Sequence, residues 1–144
     1  MKAAAAELQR AFAHLDWIER VPPHFLHITI GHESGGSLDG VEPFEIAFQR
    51  VTGFNEAVVV EVDGDGPRRL AERLRKADLF LPHLTLGYVR RPGPPAELRT
   101  ALVPLRDTEL GTQRVEEVLL CRVPASRTTI LRPWTVIERL RLQR

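Results

Sequence analysis

Apolar and polar positions along this chain switch between two periods. From Ala3 to Leu15 the large apolar residues Leu8, Phe12 and Leu15 fall three and four apart. That is the spacing of one helix face, and it predicts a helix packed by that side. Asp16 to Pro23 reads as a connector. Phe25 to Gly31 alternates with a period of two, the pattern of a strand with one buried face. A polar, glycine-containing loop follows from His32 to Gly40. Phe44-Glu45-Ile46-Ala47-Phe48 opens a strand expected to reach about Val51. Ala57 to Val62 is β-branched and predicts another strand, closed by the turn Asp63-Gly64-Asp65-Gly66. Pro67 suits the first turn of a helix running to about Ala77, with Leu70 and Leu74 inward. His83 to Val89 alternates again. Arg90 to Pro95 holds three prolines and reads as a loop. A short helix is expected from Pro95 to about Val103, and a strand from Val115 to Val123. Pro124 to Arg127 reads as a turn, and Thr129 to Leu142 as a long strand interrupted at Pro133. The order is helix, strands, helix, strands, which predicts an α+β fold with mostly antiparallel sheets.

Within that pattern one phrase occurs twice. His27-Ile28-Thr29-Ile30-Gly31 returns as His83-Leu84-Thr85-Leu86-Gly87. Both copies follow prolines, Pro22-Pro23 before the first and Pro82 before the second. On a strand successive side chains point to opposite faces. His27 therefore shares a face with Thr29, and His83 with Thr85, while the aliphatic residues between them turn toward a core. Two such strands facing one another would gather two acid/base groups and two hydroxyls, a set suited to a phosphate undergoing in-line displacement. A single His-x-Thr is more often an ordinary amphipathic strand. The joint repetition of histidine, threonine, aliphatics and glycine weighs against that reading.

Composition narrows the functions. The chain has 144 residues, 43% hydrophobic and 27% charged, enough for one domain spanning 1–144 with a real core. The net charge of +1 gives no general basic field for duplex binding. Only Lys2 and Lys76 are lysines, so the positive charge is almost all arginine, whose planar fork suits phosphate. Cys121 is the only cysteine and lies in an apolar run, where a buried, inert thiol is expected. One cysteine permits neither an intrachain disulfide nor a structural zinc site. No run is long enough to span a membrane, and the cytoplasm is the expected compartment. The cluster His24, His27 and His32 raises the question of a metal site. On a strand the offset between His24 and His27 sends their rings to opposite faces, which speaks against one. His24 and His32 are then expected to flank the cleft or meet solvent, and His14 to sit on a helix surface.

At the two motifs the chain resembles the two-histidine phosphoesterase superfamily, and within it the bacterial 2′-5′ RNA ligases, or RNA 2′,3′-cyclic phosphodiesterases. Val21 to Ile30 is similar to that family's first motif with its lead-in, and Pro82 to Gly87 to its second. Pro43 to Ile46, Val115 to Arg122 and Trp134-Thr135-Val136 resemble later strands. The resemblance implies a bilobal, pseudo-twofold fold with antiparallel sheets around a central cleft. It implies His27 and His83 as acid/base residues, Thr29 and Thr85 as phosphate binders, and no metal or nucleotide cofactor. The family begins with a strand, whereas this chain begins at its helix, and the motifs stand only 56 residues apart. A first lobe trimmed at the N-terminus, with an open sheet edge, is therefore expected.

The implied activity is metal-independent opening of 2′,3′-cyclic phosphates, with 2′-5′ ligation as its reverse. One neutral histidine would take a proton from water and one protonated histidine would give a proton to the leaving ribose oxygen. RNA with cyclic phosphate ends or small cyclic nucleotides are the expected partners, met by a monomer with no membrane involvement. Arg122 and Arg127 are candidate phosphate contacts, each weighed against a solvated arginine. Phe25 is a candidate base-stacking residue because it shares the His27 face; Tyr88, on the face opposite His83 if the strand is regular, is expected in the core. Two readings compete with the enzyme: a nucleotide- or RNA-phosphate-binding module without turnover, and a metal-dependent hydrolase.

Overall fold

One antiparallel sheet of five strands positions both motifs. In a computed structural model describing residues 2–31, 37–53, 56–74, 81–123 and 134–143, its order is β1-β4-β3-β2-β5. The strands are β1 (Ile18–Arg20), β2 (Phe44–Gly53), β3 (Ala57–Asp63), β4 (His83–Val89) and β5 (Thr112–Val115). A separate ribbon pairs β6 (Glu117–Arg122) with β7 (Thr135–Arg141). The helices are α1 (Lys2–Arg10), α2 (Asp65–Arg73) and α3 (Pro95–Leu102). The class is the α+β, antiparallel one that the sequence predicts.

The β-branched run of β3 explains the core. Val58, Val60 and Val62 face one side with Ile46 and Phe48 of β2 and with Leu84 and Leu86 of β4. Leu8 and Phe12 from the α1 region and Leu98 and Leu102 from α3 close over them. The helical stripe Leu8, Phe12 and Leu15 is buried as expected, although α1 stops at Arg10 and tighter turns carry the chain to Leu15. Gln9 lies within that stripe and is 5% exposed. Its Nε2 donates to the carbonyls of Val21 and Leu86, at 2.8 Å each. A buried polar group is tolerated because both its protons are used.

Several boundaries differ from the sequence reading. The connector Asp16–Pro23 contains β1, which pairs with β4 as Ile18 opposite Val89 and Arg20 opposite Gly87. The turn expected to run to Gly66 is shorter: Gly64, at φ 138°, makes it, and α2 starts at Asp65. The strand expected over Val115–Val123 is divided at Glu116. Residues before it pair with β2, and those after it pair with β7. The Glu116 carbonyl accepts from Leu142 N–H (2.9 Å), which fixes the crossover between the sheets. Of the long strand Thr129–Leu142, β7 occupies Thr135–Arg141, and residues 124–133 lie outside the described ones.

Candidate active site

The second motif forms as its pattern predicts. β4 buries Leu84 (3% exposed) and Leu86 (0%) and turns His83 and Thr85 to the other side. The first motif does not form the strand expected over Phe25–Gly31. Pro22 and Pro23 offer no N–H to a ladder. The chain instead makes a 3₁₀ turn over Pro23–Phe25, closed by Phe25 N–H on the Pro22 carbonyl (2.9 Å). Val21 still donates to Leu86 (2.9 Å), so the turn is a detour from the β4 edge. Contact with that edge resumes at Ile28, which forms an isolated antiparallel bridge with Leu84.

That bridge sets the geometry of the site. In its register His27 stands opposite Thr85, and Thr29 opposite His83. Ile28 and Leu26 pack on the core cluster, and His27 and Thr29 are exposed on the opposite face. This register places all four polar side chains on one face of the sheet. The two imidazoles are also held alike. His27 Nδ1 is 2.7 Å from the Phe25 carbonyl, and His83 Nδ1 is 2.8 Å from the Leu81 carbonyl. A carbonyl only accepts, so Nδ1 carries the proton in both rings. Each Nε2 is left to take a proton when the ring is neutral or to give one when it is charged.

Three neighbours were not legible as site residues. Trp134, just before β7, meets His27 edge-on at 5.9 Å between ring centroids and Phe25 at 5.7 Å. Its indole N–H has no acceptor among the described residues, so packing holds the ring. Phe25 is thereby placed beside His27, and His24 is exposed with its ring 4.1 Å from Phe25. Glu61 of β3 lies directly across from His83 and is held by Arg50 (2.9 Å). Tyr88 corrects the sequence reading. The β3–β4 register shifts between Val58 and Val59, so Thr85 faces Val59 while Gly87 faces Val58. This extra residue in β4 inverts the alternation beyond it. Tyr88, opposite Ala57, consequently turns to the face of His83 and Thr85 and not into the core.

The remaining candidates are scattered. Arg122 is exposed at the end of β6 opposite Thr135. Arg127 and His32 lie outside the described residues. His14 is exposed in the turns after α1. Cys121 is half-buried, not fully buried; burial pushes its thiol pKa up, and the Arg139 charge opposes this. Among the described residues no helix is long and apolar enough to cross a membrane.

No protein-family profile and no curated protein sequence matches the chain. Solved structures do. TT0787 of Thermus thermophilus superposes with a TM-score of 0.76 at 21% identity, over 98% of this chain and 91% of that one. LigT of E. coli complexed with 3′-AMP gives 0.65 at 18% identity, over 96% and 93%. LigT complexed with phosphate gives 0.62 at 18%, over 96% and 92%. At such identities a likeness of this extent establishes architecture. The three-dimensional likeness, over nearly the whole length of both chains, establishes that this chain has the fold of LigT and TT0787.

Proposed function

We propose that this chain is a metal-independent phosphodiesterase that opens 2′,3′-cyclic phosphates of RNA ends or small nucleotides. The observation that carries the reading is the crossed register, His27 against Thr85 and Thr29 against His83, on one face of the sheet. A phosphate seated there meets a hydroxyl and an Nε2 from each motif. LigT was solved with 3′-AMP and with phosphate, ligands of the same chemistry.

The steps follow from the tethered rings. One neutral imidazole takes a proton from water at Nε2 as the water oxygen bonds to phosphorus. The bond from phosphorus to one ribose oxygen breaks in line, and that oxygen receives a proton from the other, charged imidazole. Thr29 and Thr85 hold non-bridging oxygens as their charge grows. The histidines end with exchanged protonation and reset through solvent. With a 5′-hydroxyl of a second RNA end in place of water, the neutral imidazole takes the hydroxyl proton, the bond from phosphorus to the 3′-oxygen breaks with protonation of that oxygen, and a 2′-5′ link forms.

The test is conversion of a 2′,3′-cyclic nucleotide and of a cyclic-phosphate RNA end to the opened monoester, with excess chelator present. Product in chelator supports the proposal. Binding of the nucleotide with no product leaves the binding module. Activity lost in chelator and restored by zinc leaves the metal-dependent hydrolase.

A further inference from the structure

We infer that Tyr88 is a specificity residue of this site, packing its ring against the nucleoside of the substrate; the inference rests on the phosphoesterase reading above. The bulge in β4 is what places it. Leu84 and Leu86 face the core, and beyond the bulge Val89 packs on the same core. A Cβ on Gly87 would approach Ile18 (2.9 Å) and Phe12 (3.1 Å) on that side. Tyr88, lying between Gly87 and Val89, is therefore directed to the opposite face.

His83, Thr85 and Tyr88 form one row there, matched across β3 by Glu61, Val59 and Ala57. Ala57 and Val59 are two residues apart, so Tyr88 stands one same-face step, roughly 7 Å, past Thr85. A ribose and its base extending from a phosphate held at Thr85 and His27 would cover that step. Two side chains flank the ring. Ala57 beside it is small, and Glu19 on β1 is engaged by Arg90 (3.2 Å). Tyr88 itself is half-buried, and no described residue hydrogen-bonds its hydroxyl. A rigid aromatic face next to a phosphate site is the usual platform for a single unstacked base.

The experiment titrates wild type, Tyr88→Phe and Tyr88→Leu with 3′-AMP and, separately, with inorganic phosphate, by calorimetry. Thermal melting confirms that each variant is folded, and Tyr88→Phe keeps the ring if Tyr88→Leu fails to fold. Tyr88→Leu should weaken 3′-AMP roughly 5- to 150-fold, the range for loss of one base–aromatic stack. Tyr88→Phe should bind 3′-AMP like wild type, and phosphate affinity should be the same in all three. Unchanged 3′-AMP affinity in Tyr88→Leu overturns the inference. So does a loss as large in Tyr88→Phe, or an equal loss for phosphate. If wild type binds neither probe, the phosphoesterase reading falls and the inference with it.

Discussion

His27 and Thr85 face one another across the Ile28–Leu84 bridge, so each motif's histidine is set beside the other motif's threonine. The candidate site is consequently shared between two chain segments joined at one ladder contact. Loss of either histidine should remove one proton transfer and leave the other. His27→Ala and His83→Ala are each expected to lower kcat on cyclic phosphates by about 10²- to 10⁴-fold. Both rings are exposed, so thermal melting should be little changed. Either variant turning over at the wild-type rate would remove its residue from the mechanism.

The threonines are predicted to act as a crossed pair. Thr29→Val and Thr85→Val keep the side-chain shape and delete the hydroxyl. A hydrogen bond to a charged oxygen is worth about 1.5–3 kcal/mol, so each variant should lose roughly 10- to 150-fold in kcat/KM. Steady-state kinetics on a cyclic nucleotide checks this. Wild-type constants in both variants would mean that the hydroxyls do not reach substrate.

The sequence made β4 and the facing of its side chains legible because period two survives intact from His83 through Leu86. The first motif carries the same alternation but lacks the donors to pair along its length, since Pro22 and Pro23 precede it. The inversion at Tyr88 was harder to read. Leu84 and Leu86 look regular, and the signal was Gly87, a glycine inside a strand, which often marks a bulge or a close approach. Trp134 could not be placed from its neighbours. It reaches His27 only through the crossover from the five-stranded sheet to the β6–β7 ribbon. That crossover follows Glu116, a break in an otherwise strand-like run that pairing partners decide and local pattern does not.

Gln9 ties the start of the motif detour to the core, and its replacement should be costly for stability. Gln9→Met retains length and removes both donors. The Val21 carbonyl then loses its Gln9 bond, whereas the Leu86 carbonyl keeps the Val21 N–H. A buried unsatisfied acceptor costs about 1–3 kcal/mol. Chemical denaturation should show a midpoint shift of that size with unchanged m-value. No shift would mean that water or another group satisfies Val21.

Gly87 closes the second motif without starting a turn; it remains in β4, where its lack of a side chain admits Ile18 and Phe12. Gly87→Ala would bring a Cβ to 3.1 Å from the Glu19 carbonyl oxygen, a backbone atom with little freedom to yield. Overpacking of this kind costs about 1–3 kcal/mol. Thermal melting of Gly87→Ala should therefore fall clearly below wild type. A variant as stable as wild type would mean that β1 can move away from β4.

The matched tethers on His27 and His83 make a prediction about protons. Each Nδ1 lies against a backbone carbonyl that no side-chain substitution removes, at 2.7 and 2.8 Å. In the neutral state both rings should be the Nδ1–H tautomer, with Nε2 as the basic nitrogen. Nitrogen-15 NMR of the imidazoles distinguishes the tautomers directly. The proposed mechanism uses one neutral and one charged ring during turnover, so on that proposal kcat/KM should trace a bell against pH, its two limbs belonging to the pair. The acid limb reports protonation of the ring that must accept, and the alkaline limb deprotonation of the ring that must donate. In a variant lacking one histidine, whatever activity persists should keep one limb only. Neutral rings found as Nε2–H tautomers, or a profile without limbs, would contradict the tethered acid/base pair.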